Sequence, residues 1–149
     1  MNNKKPIITL CSSVNFYKEL VRIQADLEEL GYTAIVPKTA TVMKESGDFE
    51  VSHYKTWFGN ADDYHKKTAL MRGHFNEVTK ANAILVLNNE KHGRSGYIGG
   101  NVLMEMALAF HLNIPIYVFN PVDPESPFTE EIIGMGSIVI NGDLNRIQH

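Results

Sequence analysis

One cysteine, Cys11, is all that the 149 residues contain. A lone thiol excludes an internal disulfide framework and fits a reducing compartment. Long apolar runs are missing as well. The first, Pro6 to Cys11, follows a polar and basic opening at Met1–Lys5; it is shorter than a signal-peptide core and far short of a membrane span. A cytoplasmic protein with no membrane partner is therefore expected. Nor is there an excess of one charge. Fourteen Lys and Arg face 17 Asp and Glu, a formal net charge of −3, so no global basic field exists to hold a nucleic acid polymer. The six histidines are scattered with no recognised metal-ligand spacing, and neither a metal nor another cofactor is expected. Charge is thinnest between Ser95 and Val122, where the only formally charged side chain is Glu105.

What is present is an ordinary globular composition, with 44% hydrophobic and 21% charged residues over a length that suits one domain with a real core. Short apolar runs alternate with amphipathic ones. Pro6–Cys11, Thr33–Val36, Ala83–Leu87, Pro115–Phe119 and Ser137–Ile140 read as strands buried on both faces. Phe16 to Leu30 has apolar residues at helical spacing and ends at Gly31; Asp62 to about Lys80, the segment after Gly99, and Thr129 to Gly134 are further helices. Lys38 to Ala61 is the least regular stretch and reads as a long loop or lid within a single domain spanning 1–149. The strictly alternating order implies an α/β fold, one five-stranded parallel sheet with helices on both faces. Ligands in such folds bind outside the carboxyl ends of the strands, which directs attention to Cys11–Asn15, Pro37 onward, Asn88–Asn101 and Asn120–Asp123.

Gly93-Arg94-Ser95-Gly96-Tyr97-Ile98-Gly99-Gly100-Asn101 is the richest of these segments. Glycines ahead of a helix allow close backbone approach, and the free N–H groups of its first turn attract anions. Lys91 and Arg94 would add charge for a phosphate. The pattern is neither a Walker loop nor the dinucleotide fingerprint, and a tight turn that packs a helix on the sheet accounts for it equally. Glu105 lies one and a half turns into that helix, four residues beyond Asn101. Its nearness to the positive helix end favours the ionised form, and an ionised, partly desolvated carboxylate can attack C1′ of a sugar. The alternative is a solvent-exposed helix position. Ser12 and Ser13 suit either a phosphate or sugar hydroxyl, or an N-cap. Cys11 reads as a buried small hydrophobe; His74 and Arg72 ride the helix before the third strand, where either one of them faces the site or both belong to a solvated helix face. Tyr54, Trp57 and Phe58 suit stacking on a base, a lid, or plain loop packing.

Three segments carry a resemblance to a known family: Ile8-Thr9-Leu10-Cys11-Ser12-Ser13, Ala81-Asn82-Ala83-Ile84-Leu85-Val86-Leu87-Asn88, and Gly99 to Ala109 with Met104-Glu105-Met106-Ala107-Leu108-Ala109 at its centre. Followed by Asn113-Ile114-Pro115-Ile116, they resemble the nucleoside 2-deoxyribosyltransferase-like superfamily, which includes nucleoside 5′-monophosphate N-glycosidases. The resemblance implies a flavodoxin-like (Rossmann-like) sheet, Glu105 as nucleophile at C1′, and a homo-oligomer. It also implies aspartates that this chain lacks: Asn88 or Asn89 and Gly99 stand where the transferases carry acids, and Asn82 replaces the usual Asp that opens the central strand. Protonation of the leaving base would fall to Glu90, His92 or Asp123, or not occur.

The reading that follows is cleavage or exchange of the base of a nucleoside or nucleoside 5′-monophosphate. Glu105 is the catalytic group, and Ser12, Ser13, Asn88, Arg94, Gly99, Gly100 and Asn101 bind the substrate. The alternative is a nucleotide-sensing domain of the same architecture without turnover.

Overall fold

The computed structural model describes residues 4–148; Met1–Asn3 of the polar opening segment, and His149, lie outside the described residues. Its strands are β1 (Ile7–Ser12), β2 (Thr33–Ile35), β3 (Ala83–Leu87), β4 (Ile116–Val118) and β5 (Ile138–Val139). Its helices are α1 (Tyr17–Glu29), α2 (Lys38–Ser46), α3 (Tyr64–Thr79), α4 (Gly100–His111) and α5 (Thr129–Gly134). The five strands form one sheet in the order β2-β1-β3-β4-β5, and every pairing is parallel. This is the flavodoxin-like winding, in which the chain leaves β1 to one side for β2 and returns to its other side for β3.

Strand composition follows from double burial. All five residues of β3 are buried, and their alternation sorts them between the two faces. Ile8, Leu10, Leu85 and Leu87 pack with Leu20, Ile23 and Leu27 of α1, and with Ile140 and Ile147 near the C-terminal end. Cys11, Ile84 and Val86 pack on the opposite face with Val78 of α3, Val102, Met106 and Ala109 of α4, and Ile132 of α5. Register between β1 and β3 is pinned by Asn82. Its side-chain oxygen accepts the Ile7 N–H at 2.8 Å, and its own N–H donates to the Ile7 carbonyl at 2.8 Å. Asn82 therefore performs a structural task, for which its side chain needs only an oxygen acceptor.

One expected element is corrected. The stretch 38–61 is not a long loop: α2 occupies its first nine residues, capped by Gly47 in the left-handed conformation, and a 3-10 turn follows at Val51–His53. Lys38-Thr39-Ala40-Thr41-Val42 has no strong periodicity, so its helix rests on packing, with Ala40 and Met43 fully buried. Trp57, 5% exposed, ties the remainder down. Elsewhere Phe16 belongs to a 3-10 turn ahead of α1, and α3 starts at Tyr64 rather than Asp62. Among the described residues no helix is long and apolar enough to cross a membrane.

Candidate functional site

A cavity of about 240 Å³ lies beyond the carboxyl ends of β1 and β3, where the winding changes direction. Its floor is Glu105, the sixth residue of α4. The exposed-position reading of Glu105 is excluded, because the residue is 3% exposed while its neighbour Met104 faces solvent. Asn101, one turn earlier, donates its side-chain N–H to Glu105 Oε1 at 3.0 Å, and Lys67 Nζ donates to Asn101 Oδ1 at 3.4 Å. Glu105 Oε2 is buried and has no hydrogen-bond partner among the described residues.

Burial dominates the carboxyl's acidity. Desolvation raises the Glu105 pKa from 4.5 to about 7, while the Cys11 thiol, the Lys67 ammonium and the Asn101 amide pull it down. The expectation that the helix end favours the ionised form is thus corrected: the cost of desolvation outweighs it.

Two groups that the sequence left apart converge on this carboxylate. Cys11 is the last residue but one of β1, His74 comes from α3, and their ligand-type atoms lie with that of Glu105 within 4.8 Å of one another. His74 is buried rather than on a solvated face; its Nε2 donates to the Leu10 carbonyl at 2.9 Å and sits 3.7 Å from Cys11 Sγ. Burial lowers the His74 pKa and raises the Cys11 pKa, so the imidazole is neutral and the thiol keeps its proton. The scattered histidines gave no hint of this trio, because its members lie 63 and 31 residues apart in sequence. Its atoms have the types a transition metal takes, but the Nε2 that faces them carries the proton given to Leu10. That nitrogen has no lone pair to offer a metal until this bond is broken. Tyr17, from the first turn of α1, also adjoins the carboxylate; burial first, then Glu105 and Cys11, raise its hydroxyl.

The walls are cationic. Lys38, Lys55, Lys67 and Lys91 line the cavity, and none has a carboxylate within ion-pair distance among the described residues. Lys91 Nζ donates to Ser13 Oγ at 2.9 Å and stands 5.0 Å from the Tyr97 ring centre; Lys67 Nζ stands 5.8 Å from that of Trp57. Desolvation and the charge of Lys55 lower the pKa of both Lys67 and Lys91, and at Lys67 the Glu105 carboxylate offsets part of this. Glu105 is the one carboxylate among the described lining residues.

Of the sequence candidates, Ser12, Ser13, Gly99, Gly100, Asn101 and Glu105 line this cavity together. Ser13 precedes the 3-10 turn but makes no side-chain cap, leaving its hydroxyl to Lys91 and Asn15. Gly99 has a local reason as well: a Cβ there would press to 3.2 Å on the Tyr97 hydroxyl. Asn88 and Arg94 lie elsewhere. Asn88 is fully buried, and it ties the end of β3 to the chain after β4 by accepting the Asn120 N–H at 2.8 Å and donating to its carbonyl at 2.9 Å. Arg94 Nε pairs with Asp123 at 2.8 Å, outside the cavity. Neither Glu90, His92 nor Asp123 lines the cavity; Glu90 borders a separate hollow with Asn88 and Asn89, where Asn89 also bonds Glu19. Tyr54 and Trp57 are lining residues, whereas Phe58 projects into solvent. Sequence reasoning missed Tyr17, Lys38, Lys55 and Lys67. Lysines on helix surfaces are too common to stand out, and only their convergence distinguishes them.

No family model and no curated protein matches the chain. What stands of the resemblance in structural terms is the generic doubly wound, flavodoxin-like architecture.

Proposed function

We propose that this chain cleaves the N-glycosidic bond of a nucleoside 5′-monophosphate, with Glu105 as the nucleophile at C1′. The observation that carries the reading is one buried carboxylate, its Oε1 held by Asn101 and the Cys11 thiol beside it, at the floor of a cavity lined by four lysines. A pKa of about 7 leaves about half of the carboxyl ionised at neutral pH, and the ionised half is poorly solvated and therefore reactive. As the bond to the base breaks, positive charge grows on the sugar beside Oε2; the carboxylate stabilises it and forms a glycosyl ester that water resolves. Asn101 holds the other oxygen and fixes the side-chain torsion. A phosphate suits Lys91, Ser13 and the first turn of α4, where charge-assisted bonds and free N–H groups meet. For that reason the monophosphate is preferred to the free nucleoside.

Glu105→Gln keeps the shape and removes the nucleophile, so base release, followed by chromatography over a panel of nucleosides and monophosphates, should fall by at least about a thousandfold. Equal turnover in that variant refutes the mechanism. A second reading, a nucleotide-binding domain without turnover, is favoured by Glu105 being the one carboxylate among the described lining residues; tight nucleotide binding in a calorimeter with no base released over hours selects it. A homo-oligomer is part of the proposal. The uncharged outer side of α4, with Met104, Phe110 and Leu112 exposed, is the face offered to a second copy, and light scattering reads the result.

A further inference from the structure

Resting on Glu105 as the nucleophile at C1′, we infer that inorganic phosphate is a second substrate of this site. It resolves the glycosyl ester in place of water, so that the products are the free base and a pentose 1,5-bisphosphate. The cations of the cavity are the reason, because they outnumber what one 5′-phosphate can answer. Lys55, Lys67 and Lys91 are partly buried, Lys38 is exposed, and none has a carboxylate within ion-pair distance among the described residues. Lys91, which donates to Ser13 Oγ at 2.9 Å, belongs to the seat of the 5′-phosphate. Lys67 stands instead beside the reacting carboxylate. Its Nζ donates to Asn101 Oδ1 at 3.4 Å, and Asn101 donates to Glu105 Oε1 at 3.0 Å. Lys55 adds its charge to both, which with burial holds down the pKa of each. A 5′-phosphate seated at Lys91 therefore leaves cations at the glycosidic carbon unanswered.

The first step sharpens that imbalance. The C1′–N bond breaks, the base leaves with its electron pair and a proton from the lining ammonium groups, and a Glu105 oxygen bonds to C1′. The donor recovers its proton from solvent. An ester carries no charge, so Lys67 loses the carboxylate that had offset its neighbours. The base has also vacated the space beside C1′. A cleft lined by charge of one sign concentrates counter-ions, and its field gives uncharged water no such advantage. Hydrogen phosphate drawn to Lys67 and Lys55 places an oxygen on C1′, the bond from C1′ to Glu105 breaks, and its pair returns to the carboxylate. The hydrogen of the phosphate passes to solvent. In sum, nucleoside 5′-monophosphate and phosphate give free base and pentose 1,5-bisphosphate, with no net proton. Without phosphate, water takes the same route to pentose 5-phosphate.

The test incubates the full chain with the ribo- and deoxyribonucleoside 5′-monophosphates of the common bases, at inorganic phosphate from zero to about 10 mM, above the usual range of KM. Free base is measured by chromatography and the sugar products by phosphorus NMR, which separates a phosphate on C1 from one on C5. For each nucleotide cleaved, pentose 1,5-bisphosphate should match the free base at high phosphate, and pentose 5-phosphate should replace it as phosphate is withdrawn. Lys67→Gln should cut the ratio of bisphosphate to 5-phosphate by about tenfold or more, the worth of one charged hydrogen bond. That ratio is set after the base has left, so any change in the first step does not enter it. Base released with pentose 5-phosphate as the sole sugar product at every phosphate concentration overturns the inference and leaves the glycosidase reading intact. So does phosphate that only slows base release, because it then competes for the seat at Lys91. A ratio unmoved by Lys67→Gln overturns the placement of phosphate beside Glu105. No base from any nucleotide overturns both.

Discussion

Replacing Glu105 by Gln should remove a pH-dependent cost from folding as well as a nucleophile. The carboxyl is 3% exposed, and burial lifts its pKa from 4.5 to about 7. Between those values the folded protein holds a proton that the unfolded chain has released, so stability falls as pH rises from about 4.5 to about 7 and levels off above. At about 1.4 kcal/mol per pH unit, the gap corresponds to roughly 3 kcal/mol. Gln has the same shape and accepts the Asn101 N–H in the same way, but it does not titrate in this range. Any fixed cost of its amide is the same at every pH and cancels when two pH values are compared. Apart from Cys11, Tyr17 and Lys67, whose ionisation feels the Glu105 charge, the other titrations are shared by the two proteins. The expected result is that stability shifts in favour of E105Q, relative to the parent, by roughly 3 kcal/mol between pH 4 and pH 8, worth about 6 to 12 °C in Tm for a chain of this size. Urea unfolding followed by the fluorescence of the one tryptophan, buried Trp57, measures both proteins at each pH. A difference that stays flat with pH, or that moves in favour of the parent as pH rises, would refute the account of Glu105 as a carboxylate desolvated by the fold.

Two further substitutions probe the surroundings. Lys67→Met removes a charge that draws the Glu105 pKa down, so the acid limb of the activity profile should move to higher pH and affinity for a phosphate-bearing ligand should drop, both read from initial rates; an unmoved limb disconnects Lys67 from the carboxyl. Gly96→Ala places a Cβ against the Pro121 carbonyl and within 2.9 Å of the Asp123 nitrogen, at a φ of +74°; strain and backbone clash together should cost about 2 to 4 kcal/mol, and a urea midpoint unchanged by the substitution contradicts it.

Much of this architecture is written along the chain in residues whose meaning is local. Five short apolar runs separated by amphipathic segments dictate a parallel sheet, because double burial demands continuous apolar strands and parallel neighbours demand crossovers. β3 and α5 fall where composition alone puts them, at Ala83–Leu87 and Thr129–Gly134. The helix α2 was illegible for the opposite reason: Lys38–Ser46 has neither a charge pattern nor a clean apolar stripe, and it is stabilised by the neighbours that bury Ala40 and Met43. Asn88 and Arg94 show the same limit from the other side. Polar residues at the end of a strand carry no mark that separates a ligand contact from a brace, and here they brace the segments that follow β4.

By itself the sequence determined that a single charge, Glu105, would lie in an apolar helix at the carboxyl edge of a parallel sheet, because periodicity and strand order are properties of neighbours along the chain. Only the tertiary structure decided what that charge meets. Cys11, Tyr17, Lys67 and His74 reach it from β1, α1 and α3, three further lysines line the same cavity, and burial lifts its pKa to about 7. Burial and electrostatics depend on distance in space, and no spacing along the chain encodes them.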